Sequence, residues 1–156
     1  MKDHNYFMQR AIQLSIKNID NGGGPFGAVI VKEGEIIAEA ANSVTIENDP
    51  TGHAEVNVIR LAAKKLNNFD LSGCVIYSSC EPCPMCLGAI YWARLDKLYY
   101  GNTKVDAALI DFDDQFIYEE LDLPHEKRKL KSEQLLQNEA IKAFEKWKTD
   151  ASITKY

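Results

Sequence analysis

Apolar residues recur at helical spacing from Asp3 onward. Phe7, Ala11 and Leu14, with Met8, Ile12 and Ile19, predict an amphipathic helix capped by Asp3 and running to about Asp20. Asn21-Gly22-Gly23-Gly24-Pro25 ends it, because glycine and proline punctuate helices. The period then changes: Ala28 to Lys32 and Ile36 to Ala41 are runs around Glu33-Gly34 that read as a strand pair, with Asn42 at the end of the second strand. The turn Asn48-Asp49-Pro50-Thr51 leads into a helix from about His53 to Leu66, whose apolar stripe is Val58, Ile59, Ala62, Ala63 and Leu66. Cys74 to Ser78 reads as a short buried-type strand, Pro84 to Ala93 as a helix begun by proline at a permitted position, and Lys97 to Gly101 as another strand. Beyond Gly101 the pattern weakens. Residues 105–126 hold eight Asp or Glu and no Lys or Arg, with Phe112, Phe116, Ile117, Tyr118 and Leu121 as apolar contacts, which suits a short helix with loops. Ser132 is placed as the cap of a last helix reaching about Lys148 through Leu135, Leu136, Ala140, Ile141, Phe144 and Trp147, before a polar tail that closes on Tyr156. Strands alternating with helices predict an α/β sandwich, and no repeat, low-complexity segment or linker divides the chain.

A chain of 156 residues fits one domain and buries about two thirds of its unfolded surface. With 46% hydrophobic and 26% charged residues the composition is that of a globular protein, and no apolar run approaches the roughly 20 residues that cross a bilayer. The start, Met1-Lys2-Asp3-His4, is polar and lacks the apolar core of a signal peptide, so the expected location is the cytoplasm, with no membrane partner. A net charge of -5 argues against nucleic acid as a partner, since phosphate neutralisation by Lys and Arg supplies most of that affinity. A compact small molecule suits the chain better. Of the four cysteines, Cys80, Cys83 and Cys86 crowd together, which in a reducing compartment favours metal over disulfides.

His53-Ala54-Glu55 and Pro82-Cys83-Pro84-Met85-Cys86 resemble the H-x-E and P-C-x-x-C signature of the zinc deaminases of nucleobases. The resemblance implies one zinc ion per chain on His53, Cys83 and Cys86, three side chains that leave a fourth position for water. Both ligand groups open predicted helices, where about half a positive charge favours thiolates. Spacing leaves a competing reading open: Cys80 could be a fourth ligand, closing the site around a zinc that only holds the fold. A closed site, however, gives no reason for Glu55. Residues two apart do not share a helix face, so His53 is expected where the helix begins, with irregular dihedrals that aim both side chains at the metal. Alone, Glu55 would read as a cap; beside an activated water it is the natural general base. Cys74 reads as a core residue.

The likeness extends further. Gly24-Pro25-Phe26-Gly27-Ala28-Val29-Ile30-Val31, Asn42, Asn48-Asp49-Pro50-Thr51, the run from Ser79 to Arg94, Phe112-Asp113-Asp114 and Lys155-Tyr156 are similar to the small bacterial guanine deaminases of the cytidine deaminase superfamily. Nearly the whole chain is covered, with Leu123 to Trp147 matching least. The resemblance implies a single domain with a three-layer α/β/α sandwich, cytidine deaminase-like, around a mixed sheet of about five strands. It implies hydrolysis of guanine to xanthine and ammonia in purine catabolism or salvage, by a homodimer whose C-terminal segment crosses between subunits. It also implies substrate contacts: Phe26 and Trp92 sandwiching the purine, Asn42 donating its amide to a ring nitrogen, Asp114 accepting the adjacent N1-H and N2-H donors, and Tyr156 covering the site. Taken singly these residues read more plainly, as core aromatics, a turn asparagine, a solvated acid and a frayed end.

The tRNA adenosine deaminases share H-A-E and P-C-x-M-C-x-x-A-I, and their RNA-binding surface is what distinguishes them. Here the segment after Gly101 is acidic, and the one basic run, Lys127-Arg128-Lys129-Leu130-Lys131, is short. Deamination of another free base or nucleoside, and a non-catalytic zinc-stabilised interaction module, are the remaining readings.

Overall fold

Asp3 accepts the backbone N–H of Tyr6 and starts helix α1 (His4–Asp20), as its place before the apolar stripe predicts. The computed structural model describes residues 3–156; Met1 and Lys2, part of the polar start, lie outside them. After α1 come strands β1 (Gly27–Lys32) and β2 (Glu35–Ala41). Glu33 and Gly34 between them both take left-handed backbone, φ 50° and 79°, the conformation of a tight hairpin turn. A short helix α2 (Val44–Glu47), which the sequence did not announce, precedes α3 (Ala54–Leu66). Then follow β3 (Cys74–Cys80), α4 (Pro84–Trp92) and β4 (Lys97–Asn102).

The sheet order is β2-β1-β3-β4, with β1 antiparallel to both neighbours and β3 parallel to β4. The sheet is therefore mixed, as expected, but has four strands among the described residues rather than about five. Past Asn102 the chain turns helical: Thr103 and Asp106 form a reciprocal capping box that starts α5 (Lys104–Ala108).

Alternation along β1 and β3 sends side chains to two separate cores. Val29, Val31 and Tyr77 meet Phe7 and Ala11 of α1. On the other face Ala28, Ile30 and Ile76 meet Ala54, Val58 and Ala62 of α3 and Ile90 of α4. This is the three-layer α/β/α arrangement that the sequence predicts. A bidentate pair from Arg10 to Glu39, with N–O distances of 2.6 and 2.8 Å, ties α1 to the β2 edge.

The chain divides into two compact units, the first reaching to Gln115 and the second spanning Phe116–Tyr156. Helix α6 (Gln115–Asp122) leads into the second, which contains a 3-10 turn (His125–Lys127) and α7 (Gln137–Thr149). Ser132 is not a helix cap. Arg128 donates to the carbonyls of Leu123 and Leu121, and Lys129 N–H donates to Glu120, which ties the stretch before Ser132 back to α6. Helix α7 starts five residues later than Ser132, behind Leu136 at φ 52°. Within this unit the rings of Trp147 and Tyr156 meet edge-on at 6.1 Å. No helix among the described residues is long and apolar enough to cross a membrane.

Candidate active site

His53 and Cys83 occupy the same structural position on two helices. Each is an N-cap with extended dihedrals, His53 before α3 (φ -73°, ψ 151°) and Cys83 before α4 (φ -67°, ψ 170°). Pro84 fixes the first helical residue of α4 and brings Cys86 into the first turn beside Cys83. The three ligand atoms converge: His53 Nδ1 lies 3.6 Å from Cys83 Sγ and 3.4 Å from Cys86 Sγ, and the two sulfurs are 3.5 Å apart. Ligand bonds of about 2.3 Å to sulfur and 2.0–2.1 Å to nitrogen put tetrahedral ligand atoms about 3.5–3.8 Å apart. The donor set therefore fits one zinc ion in type and in spacing, and among the described residues the metal-ligating group is His53, Cys83 and Cys86. Cys80 stands apart from that group, its thiol directed at the Thr103 carbonyl, and burial pushes its pKa up to about 11. Cys83 behaves oppositely: contacts with the Cys86 thiol and with His53 pull its pKa well below the usual thiol range.

Glu55 follows in the first turn of α3 and is 5% exposed. Ser78 of β3 donates its hydroxyl to Glu55 Oε1 at 2.8 Å. Burial holds the Glu55 carboxyl above its ordinary value, with the Ser78 hydrogen bond opposing. The carboxyl also reaches the Cys86 thiol, so it lies against the metal ligands, as the extended backbone of His53 allows.

Asn42 is buried at the end of β2. Its backbone N–H donates to the Phe26 carbonyl at 3.0 Å, and its side-chain Oδ1 accepts the Val44 N–H at 3.1 Å. That second bond assigns the amide oxygen and leaves Nδ2 as the available donor. Phe26 is half-buried and meets Phe112 edge-on at 4.9 Å. Asp114 is also partly buried; burial and the nearby Cys83 charge keep its carboxyl above the ordinary range. Trp92, by contrast, is 71% exposed on α4 and shares a shallow depression with Gly88, Tyr91 and Arg94. Tyr156 is 70% exposed in the second unit.

Residues 1–102 match the family described as the cytidine and deoxycytidylate deaminase zinc-binding region, and they contain His53, Glu55, Cys83 and Cys86. The chain belongs to this deaminase family. It is 50% identical over 155 residues to the guanine deaminase of Bacillus subtilis (strain 168), covering 99% of each chain. The X-ray structure of guanine deaminase from Bacillus subtilis superposes with a TM-score of 0.97 at 49% identity, again over 99% of each chain. A tRNA-specific adenosine deaminase from Aquifex aeolicus is 43% identical over 96 residues, covering 62% of this chain and 64% of its own.

Three polar residues of this deaminase site escaped sequence reasoning. Ser78 meets Glu55; Asn57 of α3 donates to the Ala41 carbonyl, the Ser43 hydroxyl and the Gly52 carbonyl; and Asn18 of α1 donates to the carbonyls of Gly24 and Asn42. Asn18 had a signal. It continues the buried stripe Phe7, Ala11, Ser15 of α1, and a polar residue on an apolar stripe needs partners.

Proposed function

We propose that this chain catalyses zinc-dependent hydrolytic deamination of guanine to xanthine and ammonia, in purine catabolism or salvage. The observation that carries this reading is the 50% identity to a guanine deaminase across 99% of both chains, a match that runs well beyond the zinc-binding region at residues 1–102. His53, Cys83 and Cys86 would hold a zinc ion, which when bound would supply the Lewis acidity that makes water nucleophilic near neutral pH. Glu55 takes the proton from the attacking water, whose oxygen bonds to C2 of guanine. It gives that proton to the ring nitrogen and then carries the proton of the new C2 hydroxyl to the amine, so that the C2 carbonyl forms, the exocyclic C–N bond breaks and ammonia leaves. The raised carboxyl pKa of a buried Glu55 suits a group that must both accept and give a proton. Ser78 fixes its orientation.

Asp114 accepts the N1-H and N2-H donors that distinguish guanine from adenine and cytosine, Asn42 donates its free Nδ2 hydrogens to a ring nitrogen, and Phe26 stacks on the purine. Trp92 is proposed as the second face of that stack, and Tyr156 as the cover. Both are exposed in the single chain, as are Phe144 and other apolar residues of α7, which supports a homodimer exchanging its C-terminal segments around one deaminase domain per chain. The cytoplasm is the proposed site of action.

Ammonia release from guanine, guanosine, adenine, cytosine and a tRNA anticodon stem-loop tests the substrate. Guanine should be the substrate, and Asp114→Asn should weaken its use strongly with little loss of stability. Inosine formation in the RNA with guanine inert would reverse the assignment. The exchange is tested by mixing a chain lacking Thr154 to Tyr156 with a Glu55→Gln chain. Each is expected to be nearly inactive alone, and the heterodimer to recover activity. Heterodimers without recovery would place the tail elsewhere.

A further inference from the structure

One buried amide stands behind both Phe26 and Asn42. Asn18, in the last turn of α1, is 5% exposed and points away from solvent. Its Nδ2 donates to the Gly24 carbonyl at 2.7 Å and to the Asn42 carbonyl at 2.8 Å. Its own backbone carbonyl accepts the N–H groups of Asn21 and Gly23 at 3.1 and 3.0 Å. Gly24 in turn accepts Phe26 N–H at 2.8 Å, and the Phe26 carbonyl accepts Asn42 N–H at 3.0 Å. The result is a closed ring of bonds, Asn18 to Gly24 to Phe26 to Asn42 and back to Asn18, in which the two proposed substrate contacts are neighbours.

The ring is built tightly. A Cβ on Gly23 would fall 2.3 Å from Asn18 Nδ2 and 2.8 Å from the Asn42 carbonyl oxygen, so glycine is required for the approach. A Cβ on Gly24 would meet Asn42 Cγ and Oδ1 at 3.2 Å. With its N–H, C=O and Oδ1 all engaged, Asn42 keeps Nδ2 as its available donor, and the Asn18 bond fixes the peptide that carries it. A primary amide has two hydrogens on one nitrogen, and two carbonyl oxygens at hydrogen-bond distance use both.

We infer that Asn18 is a positioning residue for the purine: by clamping the Gly24 and Asn42 carbonyls together it sets where the Phe26 ring and the Asn42 amide stand. Asn18 touches neither substrate nor metal. The inference rests on the guanine reading above, and it adds a specificity role for a helix that carries no metal ligand.

Asn18→Asp keeps the shape and replaces the donor with an oxygen facing two carbonyl oxygens; Asn18→Ala removes the donor. In both variants KM for guanine should rise about tenfold or more while kcat stays within about threefold, the pattern of lost binding that ground and transition states share. Zinc content should stay at one per chain. In a zinc-loaded Glu55→Gln background, which separates binding from turnover, Asn18→Ala should raise the Kd for 8-azaguanine by a similar factor. Arg10→Ala is the control: it loosens α1 from β2 without touching the ring, so it should lower Tm and leave KM unchanged. If the Asn18 variants lose only Tm and folded fraction, with KM and Kd within about twofold of the parent, Asn18 is structural and the inference is wrong. Should Asn18→Asp aggregate, Asn18→Ala decides by the same criterion. Absence of guanine turnover in the parent chain would refute the function itself, an outcome distinct from unchanged KM in the variants.

Discussion

Asn57→Ala should destabilise the protein because Asn57 ties down the segment that delivers His53 to the metal site. Its Nδ2 lies 3.0 Å from the Ala41 carbonyl, 2.9 Å from Ser43 Oγ and 3.3 Å from the Gly52 carbonyl. Gly52 keeps a second donor, the Ser43 N–H at 2.8 Å, and Ser43 keeps its own donation to Glu47, so the principal losses are the bonds to Ala41 and Ser43. Two hydrogen bonds at about 1 kcal/mol each, and a smaller term for the space left, give about 2–3 kcal/mol. For a chain of this size that is a Tm decrease of about 5–10 °C. Thermal unfolding followed by circular dichroism in a fixed excess of zinc measures it. Asn57→Asp should be worse still, since a carboxylate oxygen then faces two carbonyls and a hydroxyl, outweighing any gain from the nearby helix N-terminus. A Tm change under about 1 °C for Asn57→Ala, or an Asp variant as stable as the parent, would refute the reasoning.

The Arg10–Glu39 pair carries a pH signature. The Arg10 hydrogen bond holds the Glu39 carboxyl below its ordinary 4.5, so its stabilisation is present above that value and is lost as pH falls through the lower folded value. Both side chains are partly exposed, 39% and 28%, which limits the contribution to about 1 kcal/mol. The Tm gap between parent and Glu39→Gln should therefore be visible at pH 7 and close on acidification; a gap that widens toward low pH would contradict the assignment. Metal analysis should find one zinc per chain in Cys80→Ser and little in Cys83→Ser, and equal loss in the two would mean that Cys80 is a ligand.

Much of the site was legible because its residues are local in sequence. His-x-Glu and Cys-x-x-Cys each span one helix start, and the expectation that His53 sits at that start follows from two side chains that cannot share a helix face. The Asp3 cap and the Glu33-Gly34 turn were readable for the same reason. What the sequence hid is long-range. Ser78 and Glu55 are 23 positions apart, as distant as Asn18 is from Asn42 plus or minus a residue, and no local pattern couples them. The start of α7 was misplaced because Leu136 takes left-handed backbone, φ 52°, which interrupts the right-handed helix that Ser132 would have capped. The outward orientation of Trp92 likewise depends on how α4 lies on the sheet, which periodicity in so short and uniformly apolar a helix does not report.

The decisive measurement is guanine turnover by zinc-loaded Glu55→Gln. Glutamine keeps the size of the side chain and an oxygen for the Ser78 hydroxyl, so fold and zinc content should match the parent, while turnover should fall at least a hundredfold, within the typical range of about 100 to 10,000 for a lost acid–base group. Near-normal turnover in a folded variant with one zinc per chain would contradict the assignment of proton transfer to Glu55, and with it the mechanism.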